Sequence, residues 1–484
     1  MNAIHNLQRL LATIFIIVLS TTIVAQTRIT CIGASITEGA RIKNKKENSY
    51  PGQLQTLLGT DYIVENCGVS GTTMQRKGNS PYWKTEAYRK ALNSKPDIVF
   101  IDLGGNDAKA VNRPFYNELE QDCRDMIRAF KDLPTHPRVI VLLPTVFFVT
   151  DSNGIYDPVS KNQVAPRLQR AAFEENVEVV DMRPLLIDRP DLIPDAIHPE
   201  EKGSEIIAKR LFQQVTLQID EQFDVFKHLD NKNITYKVVN FAGYYCAEFK
   251  LKGRDCKVVK PHKTSVGRPW IWRTRFWAHE PQTDITLLEK GYHLVYCDQA
   301  ERMGNKQNIE EWNEFYKILH EGGLNQRVVM EGMSRGGVYV FNWAAANPDK
   351  VAAVYVDNPL LDMKAMYYGP DGKEKPENEI TKGIRENYGV ERQDINNFRE
   401  SPIDKIGDIV KGHYPILILC AELDNAAVNS QNAFPFEKLI REKGGEIIVV
   451  EKKGFKHHPH SFPNPTPIVD FIENAVVRWI IATL

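Results

Sequence analysis

The fold of this chain is decided by two stretches of the same kind, ITCIGAS at residues 29–35 and VVMEGMSRGG at residues 328–337. Each is a short apolar run of the type that forms a buried strand, and each continues through a glycine to a serine. Glycine permits a tight turn after the strand, and the turn presents the serine hydroxyl. Because the two stretches lie in opposite halves of a 484-residue chain, they predict two separate α/β domains.

The composition is that of an ordinary globular protein in which positive and negative charges nearly balance. Lys and Arg number 61 against 62 Asp and Glu, which gives a net charge of -1, and 42% of residues are hydrophobic. This balance predicts no nucleic-acid partner and no attraction to an anionic membrane. The seven cysteines match no zinc spacing, so we expect no metal and no cofactor.

Residues 1–25 are predicted to be a secretory signal peptide. Arg9 precedes an apolar run from Leu10 to Val18, and Ile23-Val24-Ala25 offers a cleavage site before Gln26. The run is short for a membrane-spanning helix, and an uncleaved anchor is the less favoured alternative. We therefore expect a secreted or periplasmic bacterial protein with no membrane span after cleavage.

Residues 26–219 are predicted to form the first domain, in which apolar strands alternate with helical segments. This alternation is typical of a parallel sheet covered on both faces, here a flavodoxin-like, three-layer α/β sandwich. The predicted strands are Ile29–Ile32, Tyr62–Val64, Ile98–Ile101, Val139–Leu142 and Val177–Val180.

Four polar blocks follow strands in this domain. They are Gly33-Ala34-Ser35, Asn66-Cys67-Gly68, Gly105-Asn106-Asp107 and Asp195-Ala196-Ile197-His198. Because the carboxyl ends of parallel strands meet at one edge of the sheet, we expect the four blocks to converge there. Together they supply a nucleophile, a base, an acid that orients the base, and donors for an oxyanion.

These motifs, in this order, resemble the SGNH (GDSL-like) hydrolase family. The resemblance implies that Ser35 is the nucleophile, His198 the general base and Asp195 the residue that orients the imidazole. It also implies an oxyanion hole made by the N–H groups of Ser35 and Gly68 and by the Asn106 side chain. The residue before the nucleophile is alanine, where the family usually has aspartate. That residue is not a reacting group, so we still expect activity.

Residues 220–234 are largely polar and are predicted to be a linker, and residues 235–484 are predicted to form the second domain. This domain opens with strands that have no helices between them and then alternates strand and helix. An antiparallel start that continues into parallel βα units is typical of an α/β-hydrolase sheet. The polar stretch from Lys364 to Asp408 lies where that fold accepts a cap insertion.

Gly332-Met333-Ser334-Arg335-Gly336 lies between a predicted strand and a predicted helix, which is the context that a G-x-S-x-G nucleophile elbow requires. The Arg335 N–H is then one oxyanion donor. Asp424 and His457 follow the next-to-last and last strands. The chain order Ser, Asp, His and the elbow resemble the α/β-hydrolases, which implies Ser334, Asp424 and His457 as the catalytic residues.

Several assignments in this half have rivals. Asp357 also follows a strand and competes with Asp424, while His458 and His460 compete with His457. Gly454 can turn the loop back toward the serine, and His457 is the first imidazole after it, so we favour His457.

Two further sets of side chains have two interpretations each. Trp270 and Trp272 share one face of a strand, where they form either a surface that stacks on a sugar or part of the core. Arg335 and Arg273 either bind a substrate carboxylate bidentately or take part in structural ion pairs.

The sequence thus predicts a secreted carboxylic ester hydrolase with one Ser-His-Asp site in each domain. The expected partner is an acylated polysaccharide or oligosaccharide, from which O-acetyl or other small acyl groups are removed. One alternative is a lipid esterase or lysophospholipase. The other is one catalytic domain joined to a degenerate binding domain.

Overall fold

A computed structural model describes residues 26–483, so the predicted signal peptide lies outside the described residues. The described part contains two β-sheets flanked by helices. Among its helices, none has the length and apolarity needed to cross a membrane.

The first sheet has five parallel strands in the order β2-β1-β3-β4-β5. This is the flavodoxin-like strand order, so the predicted fold class is confirmed for this half. The strands are β1 Thr27–Gly33, β2 Tyr62–Gly68, β3 Ile98–Asp102, β4 Arg138–Leu143 and β5 Glu178–Asp181.

Helices cover both faces of this sheet, which makes the three layers. The helices of seven or more residues are α1 Tyr50–Leu58, α2 Glu86–Asn93, α3 Tyr116–Lys131, α4 Ala165–Glu174 and α5 Glu201–Thr216. On one face, Leu54 of α1 and Leu211 of α5 pack with Ile29 of β1. On the other, Met126 of α3 and Leu168 of α4 pack in a second cluster. Such two-sided burial explains why the inner strands β3 and β4 are largely apolar.

The second sheet has nine strands in the order β14-β13-β12-β11-β9-β10-β8-β7-β6. The strands are β6 Tyr236–Phe241, β7 Tyr244–Leu251, β8 Arg254–Val259, β9 Trp270–Arg273, β10 His293–Cys297, β11 Val328–Met333, β12 Val351–Asp357, β13 Ile416–Ala421 and β14 Ile447–Lys452.

Strands β6, β7 and β8 form an antiparallel meander, β8 pairs antiparallel with β10, and β9 to β14 are parallel. This is the α/β-hydrolase arrangement predicted from the sequence. The helices of seven or more residues in this half are α6 Val225–Asn231, α7 Gln282–Glu289, α8 Lys306–Glu321, α9 Gly336–Ala346, α10 Glu379–Tyr388, α11 Ala433–Glu442 and α12 Thr466–Thr483.

The polar segment predicted as a linker contains helix α6. Its apolar residues Val225, Phe226 and Leu229 are buried in the same cluster as the core of the second sheet. Apolar residues at i, i+1 and i+4 lie on one side of a short helix. The average polarity of the segment does not show this apolar side. The segment is therefore packed onto the second half rather than suspended between the two halves.

The two halves share a buried contact. Val179 of β5 and Leu287 of α7 belong to one continuous apolar cluster. Within it, Arg210 of α5 donates to Glu289 of α7 at 2.8 Å, and both side chains are almost completely buried. The second carboxylate oxygen of Glu289 accepts the Asp181 N–H at 2.7 Å. An ion pair enclosed in this way fixes the orientation of one half against the other.

We predict that Arg210→Met destabilises the protein, because it leaves the Glu289 carboxylate buried without its cation. Breaking a buried pair from one side costs about 3–5 kcal/mol. The measurement is the urea midpoint of unfolding followed by circular dichroism. Arg89→Met is the matched control, since Arg89 pairs with Glu86 on the exposed surface of α2 and its loss costs at most about 1 kcal/mol. Equal midpoints for the two variants would contradict a structural role for the pair.

Candidate active sites

Ser35 opens a short helical turn, Ser35–Glu38, directly after β1. The turn is so tight that Gly33 tolerates no side chain. A Cβ at Gly33 would lie 2.0 Å from Thr37 Oγ1 and 2.8 Å from the Asp102 carbonyl oxygen. The glycine before the serine is thus a steric requirement of the turn.

Ser35, His198 and Asp195 form one hydrogen-bonded chain. His198 Nε2 lies 2.9 Å from Ser35 Oγ, and His198 Nδ1 lies 2.7 Å from Asp195 Oδ2. The other oxygen of Asp195 accepts the N–H groups of Ile197 at 3.1 Å and His198 at 2.7 Å. Burial acts to raise the pKa of Asp195, but the hydrogen bonds from His198 and Ile197 outweigh it and leave the pKa below its usual value. The carboxylate is therefore ionised at neutral pH and can hold the imidazole in one orientation.

Arg41 also contacts this acid, and sequence reasoning missed it. Its Nε lies 2.6 Å from Asp195 Oδ2, while its side chain is 70% exposed. No motif in the sequence marks this arginine, because the contact depends on how the loop after the Ser35 turn folds back. Arg41 places a solvent-facing cation at the mouth of the first site.

Asn106 is buried beside the candidate nucleophile, and its Nδ2 donates to the Thr72 carbonyl at 3.1 Å. Gly68 ends β2, but its N–H donates to Asn66 Oδ1 at 2.9 Å. That N–H already has a partner within the chain, and Gly68 as an oxyanion donor stays a prediction.

Gly71 is the better candidate for this donor. It has a φ of 80°, and its N–H donates to no described residue. The next residue, Thr72, is the one whose carbonyl contacts Asn106. The Ser35 N–H is likewise free of partners among the described residues. The N–H groups of Ser35 and Gly71 and the Asn106 amide are therefore the donors available for an oxyanion.

The space beside Ser35 is small and largely apolar. Its volume is about 350 Å³ when the adjoining open solvent is included. Its lining includes Ala34, Ile36, Gly105, Asn106, Phe147, Ile155 and Ile197. A cavity of this kind accommodates a short acyl group.

In the second half, Ser334 lies between β11 and α9 with a φ of 50°, the left-handed conformation that L-residues rarely adopt. The chain crosses itself closely at this point. A Cβ on Gly332 would lie 2.7 Å from the backbone carbonyl carbon of Gly336. The strained serine with a glycine two residues to either side is the geometry of a nucleophile elbow.

Ser334, His457 and Asp424 form a second hydrogen-bonded chain. His457 Nε2 lies 3.0 Å from Ser334 Oγ, and His457 Nδ1 lies 2.8 Å from Asp424 Oδ2. Asp424 Oδ1 accepts the N–H groups of Ala426 at 2.8 Å and Ala427 at 3.0 Å. Burial acts to raise the pKa of Asp424, but the hydrogen bond from His457 and those from the backbone hold it below its usual value.

The rival residues have other partners. The Asp357 carboxylate accepts a hydrogen bond from Lys452 Nζ at 2.8 Å and lies 3.0 Å from His460 Nδ1. The side chains of all three residues are buried. This cluster is an ion pair in the core beneath the site. His458 is exposed and forms only ring contacts with its histidine neighbours among the described residues.

The second oxyanion donor, which the sequence left open, has a candidate in the loop after β9. The Thr274 N–H donates to the Glu331 carbonyl at 3.0 Å. The backbone N–H groups of Arg275 and Arg335 donate to no described residue. Arg275 lies against the elbow, since a Cβ on Gly336 would be 3.6 Å from the Arg275 Cβ. Arg335 and Arg275 thus offer two backbone donors near Ser334.

Trp270, Trp272 and Arg273, each of which had two interpretations from the sequence, all lie in the core. Trp270 and Trp272 are fully buried and pack on Trp312 and other core rings, so they do not form a sugar-stacking surface. Arg273 lies in the core, where it contacts Asp284 at 2.6 Å and Glu331 at 3.2 Å. Arg273 is a structural ion-pair residue and is not available to a substrate.

One histidine cluster has the spacing of metal ligands. Ring nitrogens of His457, His458 and His460 lie within 4.8 Å of one another. His457 is bonded to Ser334 and Asp424, and His460 to Asp357. A metal ion bound here would have to compete with those hydrogen bonds.

Comparisons with known proteins find relatives of both halves of the chain. Residues 31–206 match the GDSL-like Lipase/Acylhydrolase family. An acetylxylan esterase of Xylanibacter ruminicola is 36% identical over 200 residues, which cover 38% of this chain and 42% of that protein. The chain thus spans less than half the length of this curated relative.

Two solved structures are also similar. The carbohydrate acetylesterase Est24 of Sinorhizobium meliloti is 18% identical, with 39% of this chain and 98% of that chain covered and a TM-score of 0.33. The acylaminoacyl peptidase of Pyrococcus horikoshii is 18% identical, with 52% and 43% covered and a TM-score of 0.38.

We predict that His457→Ala abolishes turnover at the second site, whereas His458→Ala retains it, because only His457 contacts Ser334. The measurement is kcat on 4-nitrophenyl acetate in a Ser35→Ala background, with circular dichroism as the control for folding. The loss on His457→Ala should be about 10⁴-fold or more. An inactive His458→Ala beside an active His457→Ala would overturn the assignment.

We also predict that Gly332→Ala destroys the elbow, because the added methyl group meets the backbone at Gly336. The readout is the rate at which a fluorophosphonate labels Ser334, located by peptide mass spectrometry. Gly407→Ala is the matched control, since a Cβ there meets nothing within 4 Å. Labelling of Ser334 at the same rate in both variants would show that the elbow tolerates the methyl group.

Proposed function

We propose that the chain, whose residues 31–206 match the GDSL-like Lipase/Acylhydrolase family, is a serine carboxylic ester hydrolase with an active site in each domain. The observation that carries the proposal is the pair of hydrogen-bonded chains from serine through histidine to aspartate. In each, the serine-to-imidazole distance is 2.9 or 3.0 Å and the imidazole-to-carboxylate distance is 2.7 or 2.8 Å.

The reaction at each site follows from these contacts. The histidine Nε2 accepts the serine proton as Oγ attacks the ester carbonyl carbon, and the aspartate stabilises the imidazolium that forms. The carbonyl oxygen becomes an oxyanion, which the free N–H groups near each serine stabilise. The imidazolium then protonates the departing alcohol, and water attacks the acyl-enzyme by the same route in reverse.

The alcohol is proposed to be a carbohydrate and the acyl group to be small, such as O-acetyl. The support is the similarity to a protein described as an acetylxylan esterase, together with the cavity of about 350 Å³ beside Ser35. The similarity to a protein described as an acetylxylan esterase makes the lipid esterase the less favoured alternative.

The two sites are proposed to act on different esters. With adjoining open solvent included, the space beside Ser334 is about 660 Å³ and that beside Ser35 about 350 Å³. The insertion between β12 and β13 contributes Met366, Lys375, Asn378 and Ile380 to its lining. Two unlike cavities on one chain favour removal of two kinds of acyl group from the same glycan.

Secretion is part of the proposal and is supported by the basic and apolar pattern of residues 1–25, which lie outside the described part of the chain. An enzyme that acts on polysaccharide outside the cytoplasm requires such a signal.

We predict that a fluorophosphonate labels both Ser35 and Ser334, and that Ser35→Ala and Ser334→Ala each remove one group of products. The measurement is mass spectrometry of products from acetylated, methyl-esterified and feruloylated polysaccharides. Loss of a triad nucleophile lowers the rate at its own site by about 10⁴- to 10⁶-fold. Labelling of a single serine would support the alternative of one catalytic domain and one binding domain.

A further inference from the structure

Two arginines face the same aromatic ring beside Ser334. The guanidinium carbons of Arg275 and Arg335 lie 5.0 and 5.9 Å from the centre of the Phe276 ring. We call Arg275 and Arg335 the cationic pair. Arg335 is the residue after Ser334 and lines the cavity in front of it.

The cationic pair lacks close carboxylate partners among the described residues. Arg335 forms no hydrogen bond or ion pair through its side chain with any described residue. Arg275 is 9% exposed, yet its buried Nε has no hydrogen-bond partner in the described part of the chain. Its one ion pair there, with Asp298, is long at 3.9 Å.

The contrast with Arg273 shows that this is not a general feature of the region. Arg273 lies two residues before Arg275 and is paired with both Asp284 and Glu331. Buried arginines are rarely left unpaired, because the desolvation of a charge must be offset by a partner. An unpaired cation beside a reactive serine therefore indicates a partner that arrives with the substrate.

Repulsion within the cationic pair supports the same conclusion. Burial, and then the nearby charge of Arg275, lower the pKa of Arg335. A third cation, Lys375, lines the same cavity, and its Nζ donates to the Ala365 carbonyl rather than to a carboxylate. An anion in this cavity relieves the repulsion and pairs with the guanidinium of Arg335, which lines it.

We propose that the cationic pair is a carboxylate-binding subsite, so that the second site acts on esters whose substrate carries a carboxylate close to the ester bond. The inference rests on the proposed esterase function of Ser334. The planar fork of each guanidinium matches the two oxygens of a carboxylate. The carboxylate belongs either to the acyl group, as in a dicarboxylic hemiester, or to the sugar, as in a uronic acid.

The test uses the full chain with Ser35→Ala, so that only the second site turns over. One arm compares 4-nitrophenyl hemisuccinate with 4-nitrophenyl butyrate, which differ in the terminal carboxylate of the acyl group. The other arm compares acetyl esters of a methyl glucuronoside with those of the matching methyl glucoside. We expect kcat/KM to favour the charged member by about tenfold or more in one arm, which identifies the source of the carboxylate.

Variants then tie the preference to the cationic pair. Arg275→Gln and Arg335→Gln keep the backbone N–H groups and remove the charges. Each should lower the charged-to-neutral ratio of kcat/KM by about tenfold or more. Arg478→Gln, on the exposed side of α12, removes one positive charge far from Ser334 and should leave the ratio unchanged.

The outcomes separate the two proposals. If neutral and charged esters are cleaved equally in both arms, or if the ratio survives both Arg→Gln changes, the carboxylate subsite is refuted while the esterase remains. If the Ser35→Ala protein cleaves no ester of either kind although a GDSL-site ester is cleaved by the unmodified chain, the proposed function of Ser334 fails first.

Discussion

Both sites depend on one constraint, which is that the carboxyl ends of parallel strands meet at the same edge of a sheet. In the first half, Ser35 follows β1 and Asn106 follows β3, its neighbour in the sheet. In the second half, Ser334 follows β11, and Asp424 and His457 follow β13 and β14. Hydrogen bonding between the strands therefore brings together side chains that are far apart in sequence, and the loops need only carry the reacting groups.

The same edge imposes tight turns, and these require glycine. Gly33 and Gly332 both lie where a methyl group would overlap neighbouring atoms, and Ser334 is held in the left-handed conformation. Such strain costs of order 1–3 kcal/mol per residue. The buried sheets on which the turns rest offset that cost, because a strand with both faces covered cannot shift to relax its end.

Buried charges sort into two groups according to their partners. Asp357 with Lys452, and Arg210 with Glu289, are fully paired and lie in the core or between the halves. Arg275, which is buried, and Arg335, which is half-buried, have no such close partner and lie near Ser334, the proposed nucleophile. Desolvation penalises any buried charge. We therefore infer that the paired charges have a structural role and that the two arginines bind an anionic ligand.

The sequence by itself determined both α/β folds, since apolar periodicity and glycine-flanked serines are local signals, and its motifs identified the residues that the two hydrogen-bonded chains contain. It did not determine which N–H groups near Ser35 lack partners, the contact of Arg41 with Asp195, or the burial of Trp270. Nor did it show that His457, rather than His458 or His460, contacts Ser334. Ser334 and His457 lie 123 positions apart. Only the tertiary structure decided these partners, because a hydrogen bond depends on a distance of about 3 Å that no local pattern encodes.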